Sequence, residues 1–398
     1  MKRTLLATAL IGLFAQAGAY AADDAKTIAE LKATIEKQND ILEQLERRIN
    51  ETEQAVNATV EVVEDNMNNS MPVSIGGYGE LHYNNLSDAN GSDKKEIDFH
   101  RFVLFFNTEF NSTTRFFSEF ELEHSLAGEG KNGEVELEQA YIEHDVNDAL
   151  TAKAGLFLVP VGLLNETHEP PTFYGVERNP VEKNILPTTW WEAGVGFNYE
   201  IAPGLAVDAA LHSGLDISKK GSYKPRDGRQ KVSEAAANDL AMTTRIKYTG
   251  IPGLELAGSL QYQGDITQGG ELGDGTQVDE AAATLFTAHA VYQQQNFGLK
   301  ALYAMWNIDG AEAEELGRDK QLGYYIEPSW RFNNEFGVFA RYTYWDNNDG
   351  NSDETDVAQT NVGFNYYLHE DVVFKADYEK QTGAKDIDGF NLGVGYRF

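Results

Sequence analysis

The 398-residue sequence predicts an all-β fold: a 16-stranded antiparallel transmembrane β-barrel preceded by an N-terminal α-helical coiled coil. Three observations carry this. A seven-residue apolar repeat occupies the first part of the chain and ends near Pro72. Beyond it, apolar and polar residues alternate with period two to the C-terminus, as strands wetted on one face require. Long and short connections between the alternating segments follow each other in strict rotation. Beyond the N-terminal apolar run no 18-residue stretch is continuously apolar, so any membrane crossing there falls to strands rather than helices.

Residues 1–21 read as a signal peptide. Lys2 and Arg3 precede the apolar run LLATALIGLFA, and Ala19-Tyr20-Ala21 supplies the small-residue cleavage pattern. Residues 22–69 are expected to form a periplasmic coiled coil. Ile28, Ile35, Leu42, Ile49, Val56 and Val63 fill one heptad position. Leu31, Gln38, Leu45, Thr52, Thr59 and Asn66 fill the position three further on, and their growing polarity weakens the seam toward its end. Residues 70–398 are assigned to the barrel.

The barrel segments share one pattern. In FNLGVGYRF, Phe390, Leu392, Val394, Tyr396 and Phe398 alternate with Asn391, Gly393, Gly395 and Arg397. Phe116, Phe120 and Leu122 alternate with Arg115, Glu119, Glu121 and Glu123, and Val372, Phe374, Ala376 and Tyr378 with Lys375, Asp377 and Glu379. An Arg or Lys facing lipid at mid-depth costs ~2–4 kcal/mol, which sends the charged faces inward. Long links are expected at about 85–96, 125–133, 161–189, 213–239, 264–280, 308–321, 346–356 and 382–388. Short ones are expected at 111–113, 146–149, 202–204, 250–253, 294–297, 333–335 and 369–371. Fifteen links join sixteen strands. Hydrocarbon leaves no partner for an open sheet edge, so the sheet must close, and at this strand number the interior is expected to hold water.

Composition narrows the function. A formal charge of −31 argues against a nucleic-acid partner, and the absence of Cys removes thiolate chemistry. The eight His are scattered along the chain, and no nucleophile–base pair or phosphate loop is visible, so neither enzyme activity, cofactor nor metal is expected. The 45 aromatics (21 Phe, 19 Tyr, 5 Trp) are read as the lipid-facing band and its girdles.

These features, with the segment LLNETHEPPTFYGVERNPVEKNILPTTWWEAG (Leu163 to Gly194) and the terminal Phe398, resemble the phosphate-selective porin O and P family of Gram-negative outer membranes. The resemblance implies a homotrimer in outer-membrane lipid and lipopolysaccharide. It also implies a third loop folded into the barrel as its constriction, and Tyr396 and Phe398 in an assembly signal read by the barrel insertion machinery. On that basis Glu166, His168, Glu169, Tyr174, Glu177, Arg178, Glu182 and Lys183 are candidates for the constriction. The strand register puts Arg101, Arg115, Glu119, Glu121, Glu123, Lys153, Arg245, Arg331, Arg341 and Lys375 on the pore wall. The family's anion-selective members carry an arginine ladder and a lysine cluster. Here no strand places two luminal Arg in succession, and luminal acids outnumber bases, which predicts weak cation preference. The expected function is a water-filled channel for passive diffusion of small hydrophilic solutes and ions. A phosphate-type uptake channel is the first alternative, and a coiled-coil tether to the cell wall the second.

Overall fold

The computed structural model describes residues 35–50, 72–218, 221–271 and 275–398. The chain divides into two units, Met1–Met71 and Pro72–Phe398. In the first, residues 35–50 form one helix, α1, free of Gly and Pro. The expected signal peptide and the remaining heptads lie outside the described residues.

The second unit is a closed barrel of sixteen antiparallel strands, each paired with its neighbours in sequence. They are β1 (Val73–Asp88), β2 (Lys94–Asn111), β3 (Thr114–Glu123), β4 (Val135–Asn147), β5 (Leu150–Leu158), β6 (Trp191–Ala202), β7 (Leu205–His212) and β8 (Ala241–Ile251). The second half comprises β9 (Leu254–Gln263), β10 (Ala282–Gln294), β11 (Phe297–Asp309), β12 (Lys320–Arg331), β13 (Phe336–Asp346), β14 (Val357–His369), β15 (Val372–Gly383) and β16 (Ile387–Arg397). Two short helices, α2 (Val181–Asn184) and α3 (Ala311–Glu315), sit in long links. The rotation of long and short links is observed as expected, with two exceptions in length. Strands β1 and β2 run on to a tight link at 89–93, and β15 and β16 to one at 384–386, so the long links expected at 85–96 and 382–388 are mostly strand. Their polar residues continue the ladder beyond the apolar band, where polarity no longer signals a loop.

Closure is made by β16 against β1, in register from Tyr78 opposite Arg397 to Asp88 opposite Ile387. The last residue completes the seam: Phe398 donates its N–H to the Gly77 carbonyl and accepts from the Gly77 N–H, both at 2.9 Å. Its ring packs beside Phe102 and Tyr396 on the outer face, with centroids 6.2 and 6.4 Å away. The predicted alternation holds on the wall. Phe374, Tyr378, Phe390 and Leu392 are exposed outward, whereas Lys375, Asp377, Glu379 and Asn391 are buried inward.

The interior departs from expectation. The largest apolar cluster lies inside the barrel and comprises Val159, Val161, Val181, Ile185, Leu186, Trp190, Leu215, Ile217, Tyr223 and Ile266 packed on Leu285, Trp306, Ile308, Tyr325 and Trp345. Long links fold inward and bury apolar surface against the inner wall, so part of the lumen is a dry core and not open water. This also corrects the reading of the aromatics. Tyr78, Phe157, Trp190, Trp306 and Tyr325 are interior and nearly fully buried. Tyr78, Phe105, Phe117 and Tyr141 form a row across β1–β4, with successive centroids 5.8, 5.7 and 5.5 Å apart.

Because Phe398 contributes two backbone hydrogen bonds and a ring to the closing seam, its deletion is expected to lower the yield of heat-resistant, folded barrel. Gel mobility before and after boiling measures this.

Candidate functional site

The third long link, residues 159–190 between β5 and β6, crosses the lumen and docks on the far wall. Its own residues hold it in shape. Glu182, at the start of α2, accepts the Leu163 and Leu164 N–H groups at 2.6 Å each and the Asn179 side-chain amide at 2.8 Å, with the Tyr325 hydroxyl at 3.3 Å. Asn165 bridges the two ends of the link, donating to the carbonyls of Val159 (2.7 Å) and Trp190 (2.9 Å) and accepting the Trp190 N–H (2.7 Å).

The wall receives the loop through polar anchors. Lys375 donates to the carbonyls of Phe173 (3.0 Å) and Gly175 (2.8 Å) and stands 3.6 Å from the Phe173 ring centroid. The Val176 N–H donates to Asp377 at 2.7 Å, and the Trp306 indole donates to the Ile185 carbonyl at 2.9 Å. Two luminal glycines make the fit close. A Cβ at Gly395 would collide with Pro170, and one at Gly323 would lie 2.8 Å from Ile185. The small face of these strands, read from sequence as merely water-facing, is where the loop presses on the wall.

The predicted loop residues divide into two groups. His168 and Glu182 are buried at 3% and 0% exposure and pin the loop instead of facing the open pore. Their chemistry explains the correction: Glu182 is engaged by hydrogen bonds from its own loop, and His168 stands between the Asn165 carbonyl and the Glu119 carboxylate. Glu166 is exposed and pairs with Arg245, which also holds Asp208 at 2.7 Å. Glu169 is half-buried where the turn Pro170–Thr172 begins, and Tyr174 stacks on Phe339 at 5.3 Å. Burial pushes the Tyr174 hydroxyl up to about 12. Burial alone would raise the Glu177 carboxyl. The His82 hydrogen bond and charge prevail and hold it well below the usual range. That contact is 3.2 Å, and Asn84 adds a donor at 3.0 Å.

Arg178 and Lys183 line a polar cavity of about 530 Å³ together with Glu177, Glu80, His82 and Arg226. Sequence reasoning missed Arg226 and its neighbour Arg229, because both lie in the link between β7 and β8, where no strand register applies. That link folds over the third. Arg226 donates to the Thr188 carbonyl at 2.7 Å, and Arg229 to that of Thr189. Burial, and after it the Arg229 and Arg178 guanidiniums, pull the Arg226 pKa below its ordinary value. Three of the eight scattered His also converge here. His82 stacks on His100 at 4.7 Å, and His100 meets His124 edge-on at 5.6 Å.

Arg101 bridges Glu80 (2.8 Å) and Glu121 (3.6 Å), and Arg341 holds Glu327 at 3.3 Å. Lys153 lies over the Phe157 ring at 4.7 Å. Arg115 and Arg331 belong to the rim with the short links. Arg115 pairs with Glu143 and Asp145 (2.5 and 2.8 Å), and Arg331 covers Tyr367 at 3.9 Å. Glu119 and Glu121 are buried, while Glu123 is half-buried and lines the cavity. A bulge opposite Glu119 and Phe120 turns both Glu138 and Gln139 of β4 inward. Lys231 pairs with Glu134 and Glu136, so these two carboxylates at the start of β4 are answered by a base from the link between β7 and β8.

Comparison with known proteins gives a match to the family model for phosphate-selective porin O and P over residues 76–386. An uncharacterised protein of Aquifex aeolicus is 30% identical over 359 residues, covering 82% of this chain and 80% of its own. Among solved structures, an anion-selective porin from Comamonas acidovorans superposes with a TM-score of 0.60 at 12% identity, covering 83% of this chain and all of that one (100%). The trimer form of OmpT, an outer membrane protein of Vibrio cholerae, gives 0.54 at 12% identity, covering 83% and 100%.

Glu182→Ala is expected to release the loop, since it strands two buried N–H donors at about 1–3 kcal/mol each. Thermal melting of the folded channel, together with the noise of its open-state current, measures the effect.

Proposed function

The chain belongs to the phosphate-selective porin O and P family, and on that premise we propose a homotrimeric channel with a basic track for small oxyanions. As a porin it is an outer-membrane channel for passive diffusion. The proposal concerns what governs passage through it.

One observation supports the reading: Arg178, Lys183 and Arg226, from two loops, line one cavity, and Arg229 lies beside Arg226. Loop charges at the narrowest point weigh more on ion preference than charges spread over a wide wall. Guanidinium groups also match the geometry of phosphate-type anions. The weak cation preference expected from strand register counted only the wall, and the loops reverse the local sign. Glu80, Glu177 and Glu123 on the facing side leave a path for cations, so the preference is graded and not absolute.

Trimer assembly follows the family, and the trimer form of the structurally similar OmpT accords with it. In the orientation common to such barrels, the short links face the periplasm. We assign residues 22–69 to a periplasmic coiled coil. Supporting this, the described helix α1 leaves Ile35, Leu42, Leu45 and Ile49 exposed, an apolar seam fit for a second helix.

In a KCl gradient across a planar bilayer, the reversal potential is expected to take the sign of anion preference. The double variant Arg226→Ala/Arg229→Ala is expected to shift it toward cations, and a shift in the opposite direction refutes the basic track. Deletion of residues 22–69 is expected to leave single-channel conductance within about twofold of the full chain, because the barrel closes without it.

A further inference from the structure

We propose that Glu119, Glu138 and His168 form a binding site for a divalent first-row metal ion, with Zn²⁺ as its representative, that clamps the third link to strands β3 and β4. The three come from separate parts of the chain: one carboxylate on each of two neighbouring strands, and an imidazole from the loop. Their ligand atoms lie within 4.8 Å of one another. His168 Nε2 is 3.1 Å from Glu119 Oε1 and 3.8 Å from Glu138 Oε2. An ion with bonds of about 2.0–2.2 Å separates neighbouring donors by roughly 3–3.6 Å, so the set needs only a small contraction around it.

The surroundings are those of a metal site. His168 Nδ1 faces the Asn165 carbonyl at 3.1 Å and donates to it. That bond orients the ring so that Nε2 faces the two carboxylates, donating to Glu119 Oε1 at 3.1 Å, and on releasing that proton Nε2 becomes free to ligate an ion. Asn165 is itself locked by three hydrogen bonds to the loop ends. Gln139 donates to Glu119 Oε2 at 2.7 Å and orients that carboxylate.

An independent observation points to a ligand. Glu138 is 2% exposed, and its Oε2, the oxygen that faces His168, has no hydrogen-bond partner. Charge does not close either. Arg101 is committed to Glu80 and Glu121. Among the described residues, His168 is the one basic group within 4 Å of Glu119 or Glu138. Arg101 and Arg178 act on Glu138, and Arg178 on Glu119, only from farther off. A buried carboxylate pair with a single titratable imidazole is costly, and a divalent cation removes that excess. One nitrogen and two carboxylate oxygens with no thiolate suit Zn²⁺, Co²⁺ or Mn²⁺ and leave a coordination position for water. The other plausible set, Asp98, His100 and His124, has both imidazoles hydrogen-bonded to Asp98 and no orphaned group.

The test uses untagged full-length channel purified without chelator. Elemental analysis is expected to find one divalent transition metal per subunit. After chelation, Co²⁺ alone is expected to bind at one equivalent with d–d absorption of a low-coordinate nitrogen–oxygen site, and Zn²⁺ is expected to raise the melting temperature. Glu138→Gln and His168→Gln are each expected to weaken Co²⁺ binding at least ~100-fold and to abolish the Zn²⁺ effect on melting. Glu327→Gln, on the opposite wall, is expected to retain both. Failure of the wild-type channel to take up stoichiometric Co²⁺ overturns the proposal whether or not the variants fold, as does undiminished binding by both folded variants. Ion preference is measured separately, so the metal site and the basic track stand or fall independently.

Discussion

Every backbone N–H and C=O that enters hydrocarbon must find its partner within the protein, and the rest of this molecule depends on that requirement. It forces the sheet to close, which places β16 against β1 and brings the chain's last residue onto Gly77. It also commits the strands to period two, because each residue must point either to lipid or to the lumen. Closure then leaves an interior wide enough to admit chain, and the long links take it up. The pore is what remains after residues 159–190 and the link between β7 and β8 have packed inside.

That packing is largely apolar on one side. Trp190, Trp306, Ile185 and Leu285 make a dry half that gives the loops a firm seat, while charged residues from the same loops, from β1 to β3 and from β15 line a polar cavity. The asymmetry separates two tasks. One side seats the loops, and the other holds a polar cavity lined by Arg178, Lys183 and Arg226 together with Glu80 and Glu123.

The sequence revealed the strands well because lipid imposes a rule that each residue obeys singly. Phe374 out and Lys375 in can be read from their identities alone. The interior obeyed no such rule. Trp306 and Tyr325 occupy luminal positions and read as violations of the alternation, yet they are the floor on which the loop sits. The loop candidates could not be sorted from sequence, since whether Glu177 or Glu182 meets solvent depends on which distant strand lies beneath. Arg226 and Arg229 went unrecognised for the same reason: nothing local says that a second link folds over the first. The convergence of His82, His100 and His124 was likewise invisible, being set by two strand pairings and a bulge.

The glycines of β16 tie these levels together. Gly395 lies two residues from the end of the strand that seals the barrel, and Pro170 of the constriction loop occupies the space that any side chain there would fill. The same strand therefore works as both latch and gauge. A loop lodged out of place would stand in the way of the closing strand, so a barrel that has sealed its seam has thereby also set its aperture.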